Sequence, residues 1–219
     1  MTLSDARVRM LARAAREVAP GMVVNLGIGL PTKVVDHLPG SFPYCLHTEN
    51  GLSGIGPALG PDKADRNLID AGGAYVSTVP GSAFFDSAVS FALVRSGRLD
   101  LTMLGAFQVS QTGDLANWKI PGQFSPGVGG GIELAQKARR VVVLTTHSDR
   151  AGNPKLVERC TLPLTASACV NRIFTELAVI DVTPDGFVLR ELARETDIPA
   201  VRAATGAPLT VPDGEIPRF

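Results

Sequence analysis

The chain has no surplus of either charge. Its 21 lysines and arginines balance 21 aspartates and glutamates, and no run of roughly five or more like charges occurs, so it offers no electrostatic footprint for nucleic acid or an anionic membrane surface. No run of about eighteen apolar residues is present to span a bilayer. The start, Met1-Thr2-Leu3-Ser4, leads into a charged amphipathic stretch rather than an apolar signal core. Cysteine is scarce: Cys45, Cys160 and Cys169 are odd in number and spaced for neither a disulfide framework nor a zinc site. They read as reduced thiols packed as small hydrophobes in a cytoplasmic protein. His37, His47 and His147 lack the spacing of a metal site or a catalytic triad and read as loop or surface residues. What is present, 219 residues of which 45% are hydrophobic and 23 are glycine, describes one domain over residues 1–219.

Hydrophobic spacing supplies the order of elements. Val8, Leu11, Ala15 and Val18 recur at helical spacing after Ser4, a candidate N-cap, and that opening helix ends near Pro20-Gly21. A strand over Met22–Leu26 leads through the Gly27–Thr32 turn to a short helix containing Val34, Val35 and Leu38. Further strands are expected at Tyr75–Val79, Leu99–Leu104, Val141–Leu144, Ala178–Val182 and Phe187–Leu192, and helices at Ser82–Arg95, Glu133–Ala138 and Pro199–Ala204. Strands alternating with helices, several of them continuously apolar, predict an open, mostly parallel α/β sheet with helices on both faces. Two long stretches, Asn50–Arg66 and Ser110–Gly131, read as irregular, and loops of that length in a compact domain are usually functional.

The first of these loops is rooted in the most informative segment, His47-Thr48-Glu49-Asn50-Gly51-Leu52-Ser53-Gly54-Ile55-Gly56-Pro57. Phe42, Tyr44, Cys45 and Leu46 have the character of a short buried strand. Glu49 then sits at its carboxyl end, the sheet edge where open α/β folds bind ligands. Gly51, Gly54 and Gly56 allow the backbone to turn sharply beside it. The commoner fate of such a glutamate is a solvated loop. The second loop ends in Pro126-Gly127-Val128-Gly129-Gly130-Gly131-Ile132-Glu133-Leu134, whose glycines free backbone N–H groups to converge on an anion ahead of a helix. The Gly27-Ile28-Gly29-Leu30-Pro31-Thr32 turn lacks the acidic partner of a dinucleotide fingerprint. It and Asn25 either shape a site or merely join strand to helix. Trp118 and Phe107 read as packing residues, and Lys155 and Arg159 as exposed basic residues of the common kind, not assigned to a site.

The His47–Pro57 segment resembles the Ser-Glu-Asn-Gly signature of class I CoA transferases, in particular the B (beta) subunit of 3-oxoacid and 3-oxoadipate enzymes, with Thr48 in place of the usual serine. The resemblance continues through Val24–Thr32, Asn67–Gly72, Gly113–Trp118, Cys160–Thr165 and Thr175–Asp181. The glycine motif is similar to the family's active-site Gly-Met-Gly-Gly-Ala-Met-Asp-Leu. Here Val128 replaces Met, Gly131 replaces Ala, and Ile132-Glu133 replace Met-Asp.

The resemblance implies a CoA transferase or ribose-5-phosphate isomerase-like fold and a CoA-transferase activity. CoA would pass from an acyl-CoA such as succinyl-CoA to acetoacetate or 3-oxoadipate by a ping-pong route through a glutamyl-CoA thioester on Glu49. Gly129, Gly130, Asn50 and Gly51 would form the oxyanion and substrate-binding set. Each oxyanion donor in such a cradle is worth roughly 3 to 4 kcal/mol. No metal and no permanently bound cofactor is implied; the CoA thioester is substrate. The partner would be a separate A (alpha) subunit supplying much of the CoA contact, in an A2B2 heterotetramer. Leu104–Ser110 and Ala168–Ile173 look nearer to 3-oxoadipate enzymes, whereas Trp118–Gly122 looks nearer to the succinyl-CoA:3-oxoacid group. Two other readings stay open on the residues alone: a sugar-phosphate isomerase using Glu49 as base, and a non-catalytic ligand-sensing domain.

Overall fold

The computed structural model describes residues 3–39, 44–125 and 127–219. Met1, Thr2, Phe42 and Pro126 of the readings above lie outside the described residues. The chain opens with α1 (Leu3–Ala15), β1 (Val23–Leu26), a 3-10 helix (Pro31–His37), β2 (Cys45–Thr48), β3 (Leu52–Ala58), β4 (Val76–Phe84) and α2 (Ser87–Arg95). It continues through β5 (Leu101–Leu104), β6 (Gln108–Ser110), β7 (Leu115–Ala116), α3 (Gly131–Lys137) and β8 (Val141–Leu144). The last part holds β9 (Leu156–Val157), β10 (Arg172–Phe174), β11 (Ala178–Thr183), β12 (Gly186–Leu192), α4 (Ile198–Ala204) and β13 (Leu209–Thr210).

Ten strands form one sheet in the order β13-β12-β11-β10-β8-β5-β1-β2-β3-β4. The five central strands, β10 to β2, run parallel, and antiparallel pairs flank them on both sides. Alternation along the strands splits the core in two. Val141 and Val143 pack with Val94 of α2, Leu134 of α3 and Val201 of α4. Val142 and Leu144 face the other way, with Met10, Leu11 and Ala14 of α1. Helices therefore cover both faces, as a continuously apolar strand such as Val141–Leu144 requires.

The chain leaves β1 for β2 on one side and later inserts β5 on the other. Such a switch point opens a crevice at the carboxyl ends of the strands. The parallel registers fix what meets there: Asn25 lies opposite His47 of β2 and Thr102 of β5.

Several expected boundaries move. The stretch 52–58, expected to be irregular, is β3, paired to a β4 that reaches Phe84. Its glycines are there for close approach: a Cβ at Gly54 would meet Ser82 Oγ at 2.8 Å and one at Gly56 would meet Ser77 Oγ at 2.4 Å. The expected helix Ser82–Arg95 consequently starts only at Ser87, where the Asp86 carboxylate accepts from the Val89 N–H at 2.8 Å. Ser4 lies inside α1 rather than ahead of it. The turn after β1 leads into a 3-10 helix, entered at Pro31, and α3 begins at Gly131.

His47 and His147 are interior residues, not loop or surface ones. His147 is fully buried, with Nδ1 2.9 Å from Thr175 Oγ1 and Nε2 2.9 Å from Thr205 Oγ1. The Thr205 hydroxyl donates to Val201 O at 2.7 Å, so its oxygen is left to accept from Nε2, while the Thr175 hydroxyl lies between Nδ1 and Ala178 O, the latter at 3.2 Å. Burial pulls the imidazole pKa down to about 4. Below about pH 6.5 the unfolded chain then binds this proton more readily than the folded one. Stability is full above that pH and is lost as pH falls toward 4. Between pH 7.5 and 5 the unfolding free energy of the natural chain should drop about 2 kcal/mol further than that of His147→Gln. Parallel pH profiles in chemical denaturation would contradict this.

Candidate active site

Glu49 follows the last residue of β2, in the turn that connects it to β3. Gly51 makes that turn possible. Its φ is +114°, its N–H donates to Thr48 O at 3.1 Å, and its carbonyl accepts from the Phe85 N–H at 2.9 Å. A Cβ there would stand 1.9 Å from Phe85 O. The turn is held from its other side by Thr48, which is buried and whose hydroxyl oxygen accepts from the Ala71 N–H at 2.9 Å. Asn50 is exposed and its amide donates to Ile69 O at 2.9 Å, which ties the turn to the loop ahead of β4.

The Glu49 carboxylate is half-buried and oriented by β1. Asn25 Nδ2 donates to Glu49 Oε2 at 3.1 Å and to the His47 carbonyl at 3.2 Å, while Asn25 Oδ1 accepts from Thr102 Oγ1 at 3.3 Å. Asn25 is fully buried, so each of its polar atoms needs such a partner. Next to it, His47 Nε2 lies 2.9 Å from Ser90 Oγ of α2, and its ring stacks on Phe85. Burial lowers the His47 pKa, against the pull of the Glu49 charge, so the ring is neutral at neutral pH.

Glu49 looks into a cavity of about 780 Å³ outside the carboxyl ends of β1, β2, β5 and β8. Gly27, Ile28 and Leu30 line it, so the turn after β1 shapes the site as well as joining two elements. Gly127–Gly131, Phe107, Trp118 and Lys155 line it too. Glu49, Gly129 and Gly130 are therefore brought together, whereas Asn50 and Gly51 serve the turn behind them. The contact with Gly130 is intimate: a Cβ there would lie 3.3 Å from Glu49 Cγ and 3.0 Å from the Phe91 ring. Gly129 has a φ of +54°. Trp118 and Phe107, read as packing residues, form part of the wall, with Trp118 Nε1 donating to Leu164 O at 3.2 Å. Arg159 is exposed and is not among the lining residues.

Sequence reasoning left Asn25 undecided, read His47 as a loop or surface residue, and passed over Ser90, Phe91 and Thr102. One signal was available: Asn25 is the single polar residue of Val23-Val24-Asn25-Leu26, and a buried polar group in an apolar strand asks for a purpose. Cys45, Cys160 and Cys169 are free thiols, and burial pushes Cys160 up to about 11 and Cys169 up to about 12, which makes both poor nucleophiles. Among the described residues no group of three or more His, Cys, Asp or Glu is placed to hold a metal ion, and no helix is long and apolar enough to cross a membrane.

The family model described as coenzyme A transferase matches residues 8–203. Over 205 residues the chain is 47% identical to the beta chain of a probable coenzyme A transferase of Bacillus subtilis, covering 94% of each chain. Over 210 residues it is 46% identical to the B chain of the 3-oxoadipate CoA-transferase of Pseudomonas putida, covering 95% of this chain and 98% of the other. An acyl-CoA transferase from Escherichia coli O157:H7, solved as a thioester complex with CoA, shares the fold with a TM-score of 0.75 at 21% identity. That match covers 97% of this chain and 43% of the larger protein.

Gly51→Ala should cost about 2 to 4 kcal/mol of unfolding free energy, because it combines a left-handed backbone with a clash that neither β2 nor Phe85 can relieve. Chemical denaturation showing a loss under about 0.5 kcal/mol would mean that the turn is not held as described.

Proposed function

Because this chain belongs to the coenzyme A transferase family, we propose that it is the nucleophile-bearing half of an enzyme that moves CoA between carboxylic acids. The observation that carries this reading is the placement of Glu49: a half-buried carboxylate with one oxygen held by Asn25, close beside Gly130 in a cavity that Gly129 also lines. In this reading position and partial desolvation supply the reactivity of the carboxylate.

In the proposed cycle a Glu49 oxygen attacks the thioester carbonyl of an acyl-CoA, and CoA thiolate leaves to give a mixed anhydride. The thiolate attacks the glutamyl carbonyl, releasing the free acid and leaving Glu49 as a CoA thioester. The carboxylate of a second acid reverses both steps and departs as the new acyl-CoA. The N–H groups of Gly129 and Gly130 are the proposed oxyanion donors. Asn25 is the positioning residue, since it holds the one oxygen while the other attacks. Succinyl-CoA as donor and a 3-oxo acid, acetoacetate or 3-oxoadipate, as acceptor complete the reading, in the cytoplasm.

The proposed partner is an A (alpha) subunit. Relatives of nearly the same length are named as the beta or B member of a pair, and large apolar side chains such as Phe84 and Phe124 stand exposed on this chain. An A2B2 assembly would double the pair, with the CoA moiety bound at the boundary between unlike subunits.

Paired with its alpha partner and incubated with succinyl-CoA, the chain should trap with borohydride as a reduced residue at position 49, seen by mass spectrometry and absent from Glu49→Gln. Failure to find it with any acyl-CoA would refute the covalent route. The isolated chain should transfer no CoA, and full activity alone would remove the need for a partner. Asn25→Ala in the paired enzyme should lower kcat roughly 10- to 100-fold, the rate equivalent of a charge-assisted hydrogen bond. KM for the acyl-CoA should stay within about threefold, since ground-state binding is untouched. An unchanged kcat would deny Asn25 its role.

A further inference from the structure

The cavity that holds Glu49 has a second polar wall, built around a cation. Lys155, immediately before β9, is fixed by its backbone: its N–H donates to His147 O at 3.0 Å and its carbonyl accepts from the Val109 N–H at 2.8 Å. Its Nζ stands 3.1 Å from Thr145 Oγ1 and 2.9 Å from Thr146 Oγ1. Each of those hydroxyls has one proton, and both protons are engaged. Thr145 donates to Ala106 O at 2.9 Å and Thr146 to Ser148 O at 2.7 Å. The two oxygens therefore act as acceptors toward the ammonium group and take two of its three N–H donors.

The third donor has no carboxylate to meet, because among the described residues Lys155 forms no ion pair. Burial pushes its pKa down. The Glu176 and Asp149 charges pull it up from a distance, and Arg7, which lines the same cavity, pushes it down again. A half-buried cation that shares a cavity with a second cation, and that carboxylates favour without pairing to it, has a place for an anion. The lining that Lys155 and Glu49 share also carries apolar side chains, Leu104, Leu134 and Leu144 among them.

We propose that Lys155, oriented by Thr145 and Thr146, receives the distal carboxylate of a dicarboxylic substrate whose other end reacts at Glu49. The proposal rests on the transferase reading above and narrows its substrate class. One remaining N–H suits a single carboxylate oxygen. The multiply charged phosphates of CoA call for several convergent donors, which this wall does not provide.

The test is CoA transfer from acetyl-CoA by the purified two-subunit enzyme to two acceptors of equal length, succinate and butyrate. The natural enzyme should prefer succinate. Lys155→Met should lower kcat/KM for succinate roughly 10- to 100-fold and leave that for butyrate within about threefold. Thr146→Val, which keeps the charge but loosens its orientation, should lose part of the preference and guards against a Lys155→Met protein that fails to fold. Equal losses on both acids would overturn the proposal and make Lys155 a CoA contact or a structural residue, and so would a natural enzyme indifferent between the acids. Transfer to no acid at all by the natural pair would instead refute the transferase reading.

Discussion

The hydrogen bond from the Asn25 amide to Glu49 is the interaction on which the rest of the site depends. A fully buried amide has no water to fall back on, so its donors and its acceptor must find partners within the protein. They find them in three segments at once: the Thr102 hydroxyl on β5, the His47 carbonyl on β2, and the carboxylate just beyond it. Parallel register across β5, β1 and β2 thus fixes where one oxygen of Glu49 lies. Slipping either pairing by one residue would turn alternate side chains to the opposite face and leave both groups unpaired.

Glu49 and the glycine run ending at Gly131 were legible because local chemistry marks them: a carboxylate at the end of an apolar strand, and a cluster of residues without side chains. Both faces of the sheet could also be read, from continuously apolar strands such as Val141–Leu144. Asn25 was visible only as an oddity, since its purpose lies in residues 22, 24 and 77 positions away in the chain. The strand β3 was misread for a related reason. Gly54 and Gly56 look like loop residues until the serines of β4 are seen pressing against them, and that contact belongs to the pair rather than to either segment. The two interior histidines were misread because isolation in sequence says nothing about burial: His147 is satisfied by two hydroxyl groups far along the chain, and His47 meets one at Nε2.

One cavity is lined by a carboxylate, Glu49, by an ammonium, Lys155, and by apolar side chains such as Leu104 and Phe107. If the proposed dicarboxylic substrate binds there, such a space would select by length as well as by charge, because both of its ends must be met at once. The carboxylate is held for reasons of strand register, and the ammonium for reasons of hydroxyl protons already committed to carbonyls. Two unrelated kinds of constraint thereby position the two charged groups that line one cavity.

Thr48, where a serine is usual in the resembled signature, takes part in this order. Its hydroxyl oxygen receives the Ala71 N–H, a contact that a serine hydroxyl would also be able to make. What the β-branched side chain adds is stiffness about χ1, so fewer rotamers compete with the bonded one when the chain is unfolded. The extra methyl group makes the clamp on the Glu49 turn entropically cheaper to close. One carbon atom thus reduces the disorder that must be removed before the Glu49 carboxylate can stand in place.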